Sequence, residues 1–241
     1  MSRRLLLISN STNHGQGYLD HVLSEIDAFL GPVRRLVFVP FALKDREAYG
    51  AKAGERLAAI GVEVATLTAD EAGRRLAREA EAVFTGGGNT FRLLKTLQES
   101  GLLSILRERA RAGIPYIGSS AGTNIAAPTI RTTNDMPIVE PASFEALGLV
   151  PFQINPHYLD PDPGSTHMGE TREQRIREFH EENETPVVGI REGAWIRVEG
   201  DHATLGGSRG ARLFRRGQEP EERGTGKSLD DLMQAFPHPQ I

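Results

Sequence analysis

Gly118-Ser119-Ser120-Ala121-Gly122 fits the pattern G-x-S-x-G with Ser120 at its centre. The apolar run "IPYI" precedes it and the small residues "GTNIAA" follow, which is the strand-to-helix setting the pattern needs. At such a point the chain turns sharply, and flanking glycines keep side chains clear of strand and helix. The serine hydroxyl then stands above the carboxyl edge of a sheet. The backbone N–H groups that follow, Ala121 first, open a helix, where negative charge is favoured. A serine held this way becomes a nucleophile only with a base beside it and an acid to orient the base. A plain Gly/Ser turn is the alternative, and the rest of the chain has to decide.

Of the seven histidines, His157 in "FQINPHYLD" directly follows a strand-like run and overlooks the same sheet edge. His167 sits in a polar loop and His180 on a helix face. Two carboxylates are placed to orient the base: Glu192, just past "PVVGI", and Asp135, in the turn-rich "TTNDMP". Open α/β sheets keep their sites at the carboxyl ends of strands, which favours Glu192 with Asp135 close behind. The loop "FTGGGNTF" is a third strand end. Its glycines permit close backbone approach, so an N–H of Gly87 or Gly88 can join that of Ala121 around an oxyanion, with Asn89 at the cap of the next helix. Finally, Thr171 and Gln174 form a capping box, which puts Arg172 in the first turn of a helix on the stripe of Ile176 and Phe179. Arg175 and Arg177 have glutamates at helical spacing; Arg172 has none downstream. An unpaired cation on an inner stripe suits a substrate carboxylate.

The elements that must position these residues alternate. Strand-like runs lie at 5–8, 36–41, 62–67, 82–85, 116–118, 152–155 and 187–190. Most are apolar throughout, as when both faces of a parallel sheet are covered. Amphipathic stretches at 18–29, 46–60, 70–80, 90–99, 103–111 and 172–183 fall between them. The series predicts an α/β fold, a doubly wound sheet between two helical layers. After Ile190 the chain alternates apolar and polar residues with Gly-rich turns, predicting antiparallel strands at one edge. No linker divides residues 1–241, so one domain is expected.

Composition narrows the function. A net charge of −4 over 241 residues argues against nucleic-acid binding. No apolar stretch approaches a membrane span, and the apolar run ending at Ile8 is too short for a signal core. With no cysteine there is no thiolate metal site, and a cytoplasmic setting is expected. The histidines lack metal-ligand spacing. "HGQGYLD" and "GGGNTF" resemble dinucleotide loops but carry Asp20 and Phe91 at the third glycine position. "GTGKS" has Glu221 where a phosphate loop needs its first glycine. Neither metal nor cofactor is therefore expected.

Several long motifs in order, "LLLISNST…GYLDH", "VFVPFAL", "FTGGGNTFRLL", "YIGSSAGTNIA", "PTIRTTNDMPIVEP", "INPHY" and "GETREQRIREF", resemble the peptidase E family. These are α-aspartyl dipeptidases, in the serine peptidase group that also contains cyanophycinase. The resemblance runs from the first strand to about Glu192 and weakens beyond it. It implies an αβα sandwich related to class I glutamine amidotransferases, and metal-independent hydrolysis of Asp-Xaa dipeptides. Ser120 would be the nucleophile and His157 the base, with Glu192 and Asp135 both open as the acid. Other hydrolases on this scaffold, cyanophycinase-like peptidases or esterases, and a non-catalytic module holding a small anion are the competing readings. The expected partner is a small peptide, with the chain a monomer or homodimer.

Overall fold

Leu5, Leu6, Leu7 and Ile8 are all fully buried, yet they divide by parity between two apolar clusters, Leu5 and Leu7 in one, Leu6 and Ile8 in the other. A strand covered on both faces has this signature. The computed structural model describes residues 3–161, 164, 166 and 168–234. In chain order the strands are β1 (Arg4–Ile8), β2 (Arg35–Val39), β3 (Glu63–Thr66), β4 (Val83–Thr85), β5 (Tyr116–Ser119) and β6 (Gln153–Tyr158). Then follow β7 (Val187–Arg191), β8 (Ala194–Glu199), β9 (His202–Gly207), β10 (Ala211–Phe214) and β11 (Glu221–Arg223).

The larger sheet has the order β3-β2-β4-β5-β1-β8-β9. Its first five members run parallel, and β8 and β9 close the edge antiparallel. Helices α1 (Leu23–Leu30) and α2 (Arg46–Ala58) cover the face of Leu6, Ile8, Phe38 and Phe84. Helices α3 (Glu71–Glu79), α4 (Thr90–Glu99), α5 (Leu102–Arg111) and the short α6 (Ala121–Asn124) cover the face of Leu5, Leu7, Val39 and Tyr116. This is the α/β layering, with a mostly parallel central sheet, that the alternating pattern predicts.

One part differs. The apolar runs at 152–155 and 187–190 do not extend that sheet; β6 and β7 pair with each other, parallel, in a second sheet of order β11-β10-β7-β6. The free edge of β1 is taken by β8, from Arg4 opposite Glu199 to Ile8 opposite Trp195, so no further parallel strand can add there. Both faces of the small sheet are nevertheless covered. Ile154, Val188, Ile190 and Leu213 join the same cluster as Ile196 and Leu205 of the large sheet. Tyr158, Val187 and Phe214 lie under Ile176 of α7 (Arg172–Glu182). A short α8 (Asp230–Met233) adds Leu232 and Met233 to the shared cluster.

Some boundaries also move. Helix α1 starts at Leu23 rather than residue 18, because Leu19 takes a positive φ of 61° and its N–H donates to the Ser11 carbonyl (2.7 Å). β2 stops at Val39, before Pro40, which has no N–H for the ladder.

Candidate active site

β5 runs straight into Ser120, whose backbone stands at φ 52°, ψ −109°. Non-glycine residues rarely adopt such a conformation, and surrounding bonds must impose it. Here Ser120 N–H donates to the Ile8 carbonyl (3.0 Å), and the Thr123 hydroxyl lies within reach of the carbonyls of Ile8 (2.7 Å) and Gly118 (2.8 Å). The Tyr116 hydroxyl, kept protonated by burial, donates to the Gly122 carbonyl (2.7 Å). The glycines are required by contact. A Cβ on Gly122 would stand 2.1 Å from the Thr85 carbonyl oxygen, and one on Gly118 2.5 Å from that of Gly122. Backbone cannot yield as a side chain does. Gly122→Ala should therefore cost about 3 kcal/mol or more, seen as a lower urea midpoint; an unchanged midpoint would mean that the turn relaxes freely.

His157 arrives from the other sheet. β6 carries an irregularity between Pro156 and Tyr158, where His157 takes φ 53°. A bulge of this kind re-aims a side chain. The ring Nε2 lies 3.0 Å from Ser120 Oγ and Nδ1 lies 2.7 Å from Glu192 Oε1. An ionised carboxylate only accepts, so Nδ1 carries the proton and Nε2 turns a lone pair to the serine hydroxyl. Glu192 occupies the turn between β7 and β8, where the chain passes from the small sheet to the large one. Gly193 N–H donates to Asn10 Oδ1 (2.8 Å) and pins that turn.

Ser9, which the sequence reading passed over, joins the two sheets behind the site. Its hydroxyl donates to the Ile190 carbonyl (2.8 Å) and accepts from His157 N–H (2.9 Å), while its own N–H donates to the Ala194 carbonyl (3.0 Å). A hydroxyl at the carboxyl end of the first strand was the available signal.

Asp135, the second candidate acid, is not at the imidazole. Its Oδ2 accepts from Thr90 N–H (2.7 Å) at the start of α4 and from the Thr133 hydroxyl (3.2 Å). Asn89 is likewise turned away: its Oδ1 caps α4 at Arg92 N–H (3.0 Å) and its Nδ2 donates to the Met136 carbonyl (2.8 Å). In the glycine loop, Gly87 N–H already donates to the Tyr49 hydroxyl (2.8 Å). That leaves the N–H groups of Gly88 and Ala121, which have no hydrogen-bond partner among the described residues. Gly88 has φ 130° and a Cβ there would meet the Ala42 carbonyl oxygen at 2.8 Å, so only glycine serves.

Two clefts meet at Ser120 and His157. The first, about 360 Å³, is bordered by Thr90, Thr133, Asp135, Leu159, Arg172 and Glu192. The second, about 590 Å³, is bordered by Tyr18, Leu43, Asp45, Tyr49, Lys52 and Gly88, and Asp135 borders it as well. Burial pushes the phenols of Tyr18 and Tyr49 up, so both present neutral hydroxyls. The capping box at Thr171 and Gln174 is present, and Arg172 opens α7 as its spacing predicts. Burial and the neighbouring Arg175 push the Arg172 guanidinium down, with Asp135 opposing them. Arg172 forms no ion pair among the described residues, within which no group of three or more His, Asp or Glu could hold a metal ion. His180 is buried against the Asn183 carbonyl (3.1 Å), and His167 lies outside the described residues.

Residues 5–206 match the model of peptidase family S51. A Streptomyces coelicolor protein named peptidase E is 61% identical over 231 residues, covering 95% of this chain and 94% of that one. A probable alpha-aspartyl dipeptidase of Drosophila melanogaster is 47% identical over 236 residues, covering 97% and 98%. In structure, a putative peptidase E protein of Listeria monocytogenes aligns at a TM-score of 0.67 with 24% identity, over 86% of this chain and 100% of that one. A peptidase from an acI-B1 actinobacterium aligns at 0.73 with 17% identity, over 95% and 97%. At those identities the two structures speak to the fold alone.

Proposed function

The chain belongs to peptidase family S51, and on that premise we propose that it is a serine dipeptidase cleaving Asp-Xaa through an acyl-enzyme on Ser120. The observation that carries the reading is the contact series Ser120 Oγ–His157 Nε2 (3.0 Å) and His157 Nδ1–Glu192 Oε1 (2.7 Å), at the head of a cleft holding Arg172. In this reading Ser120 Oγ attacks the peptide carbonyl and its proton passes to His157 Nε2. The N–H groups of Gly88 and Ala121 receive the oxyanion. His157 then returns the proton to the departing amine, the C–N bond breaks, and aspartyl-Ser120 remains. Water deprotonated by His157 attacks that ester and releases aspartate. Glu192 holds the imidazole tautomer throughout. The second cleft, lined by Tyr18, Leu43 and Lys52, is the opening for the leaving residue.

Arg172 is the proposed receptor for the aspartate side chain, because a half-buried guanidinium that forms no ion pair among the described residues gains one with the substrate. Asparagine has the same length but no charge. Arg172→Met keeps an apolar stem and should reduce the preference for Asp-Xaa over Asn-Xaa by about 10²–10³-fold, measured as the ratio of kcat/KM values. A ratio that survives the substitution assigns the carboxylate to another residue. The wider test is a panel of Asp-Xaa, Glu-Xaa, Asn-Xaa and β-aspartyl dipeptides beside a serine-directed fluorophosphonate. Turnover confined to Asp-Xaa, with labelling at Ser120, supports the reading. Absence of labelling points to a binding module, and preference for β-aspartyl bonds to a cyanophycinase-like peptidase.

A further inference from the structure

An Asp-Xaa dipeptide brings two charges on the residue whose carbonyl is attacked, a side-chain carboxylate and an α-ammonium. Arg172 answers the first and nothing yet answers the second. We propose that Asp135 receives the α-ammonium, which makes it the residue that restricts the enzyme to free N-termini. The inference rests on the Asp-Xaa reading above.

The ammonium sits on the carbon next to the attacked carbonyl, so its receptor must lie beside the nucleophile, where the two clefts meet. Three carboxylates border these clefts, and two are committed elsewhere. Glu192 holds His157, and Asp45 borders the second cleft alone while capping α2 at Ala48 N–H (3.0 Å). Asp135 borders both clefts, together with Ser120 and His157. It is also fixed without being used up. Oδ2 takes Thr90 N–H and the Thr133 hydroxyl, whereas Oδ1 accepts no hydrogen bond from the described residues.

The loop bearing Asp135 is tied to the strand bearing His157. Asn134 Nδ2 donates to the Pro156 carbonyl (2.8 Å), and Asn155 Nδ2 donates to the Thr132 carbonyl (2.9 Å) and to Asn134 Oδ1 (2.9 Å). The carboxylate is thereby held in register with the base. Asp135 and Arg172 border the same cleft, so it offers one anion and one cation, as an aspartyl residue brings one ammonium and one carboxylate.

The test compares Asp-Leu with succinyl-leucine, the same molecule lacking the α-amine, in wild type and Asp135→Asn. Asparagine retains an acceptor for Thr90 N–H but loses the charge. We expect kcat/KM for Asp-Leu to fall about 10²-fold and that for succinyl-leucine by less than about tenfold, so that the ratio of the two collapses. Should succinyl-leucine turn over too slowly, competitive inhibition by aspartate against succinate reads the same ratio. If the asparagine variant does not fold, Asp135→Ser takes its place. An equal loss on both substrates, or an unchanged ratio, overturns the inference while leaving the dipeptidase reading intact. Wild-type protein inert to Asp-Leu overturns both.

Discussion

Ser120→Ala should lower kcat on an Asp-Xaa dipeptide by about 10⁶-fold, to the residual rate that binding and oxyanion donors sustain without a nucleophile. Its stability should change by less than about 1 kcal/mol, since among the described residues the hydroxyl makes one hydrogen bond, to His157, and Ser120 is only partly buried. Backbone strain at φ 52° is common to serine and alanine, so it cancels. Ser119→Ala is the control. Its hydroxyl is fully buried and has no hydrogen-bond partner among the described residues, so removing it strands none of them. Stopped assays over days for the first variant, and ordinary kinetics for the second, give the comparison. Similar losses at both positions would remove Ser120 from the reaction.

Glu192→Gln should be the second most damaging change, with kcat down about 10³–10⁴-fold. A glutamine amide can present its NH₂ to Nδ1, which moves the imidazole proton to Nε2 and leaves Ser120 facing a donor instead of a base. The side chains of His157 and Glu192 are 39% and 49% exposed, so water partly substitutes for the carboxylate, and the lower half of that range is the more natural outcome. The loss must fall equally on substrates with and without an α-amine. That separates Glu192 from Asp135, and a near-normal Glu192→Gln would return the acid's role to Asp135.

Local features were legible in the residues. The turn at Ser120 depends on glycines within two positions, and the cap at Thr171 on Gln174 three residues later; both can be read from spacing. Contacts between distant segments could not be. Ser9 meets His157 148 residues away and Ile190 181 away, and no local pattern encodes either pairing. Gly87 was open on sequence grounds because the hydroxyl that takes its N–H comes from Tyr49, on a different helix. The second sheet escaped for a related reason. β6 and β7 are buried on both faces, as strands of one doubly wound sheet would be, and an apolar run does not say which sheet it joins. Glu192 follows an apolar strand and Asp135 lies in a turn-rich loop, yet both were open as the acid, and only the three-dimensional pairing distinguishes the carboxylate at the imidazole from the one at a helix start.

The hydroxyl of Ser9 is bonded to both β6 and β7 from the end of β1, so the sheet that carries Ser120 and the sheet that carries His157 are joined at that atom. A half-assembled chain, newly made or partly melted, can present Ser120 on its turn and still be harmless. Until the small sheet docks, no imidazole stands over the serine and no carboxylate stands behind the imidazole. Hydrolytic competence is thus a property of the finished molecule alone, and because the two sheets share one apolar cluster, loosening between them undoes the site and the core together.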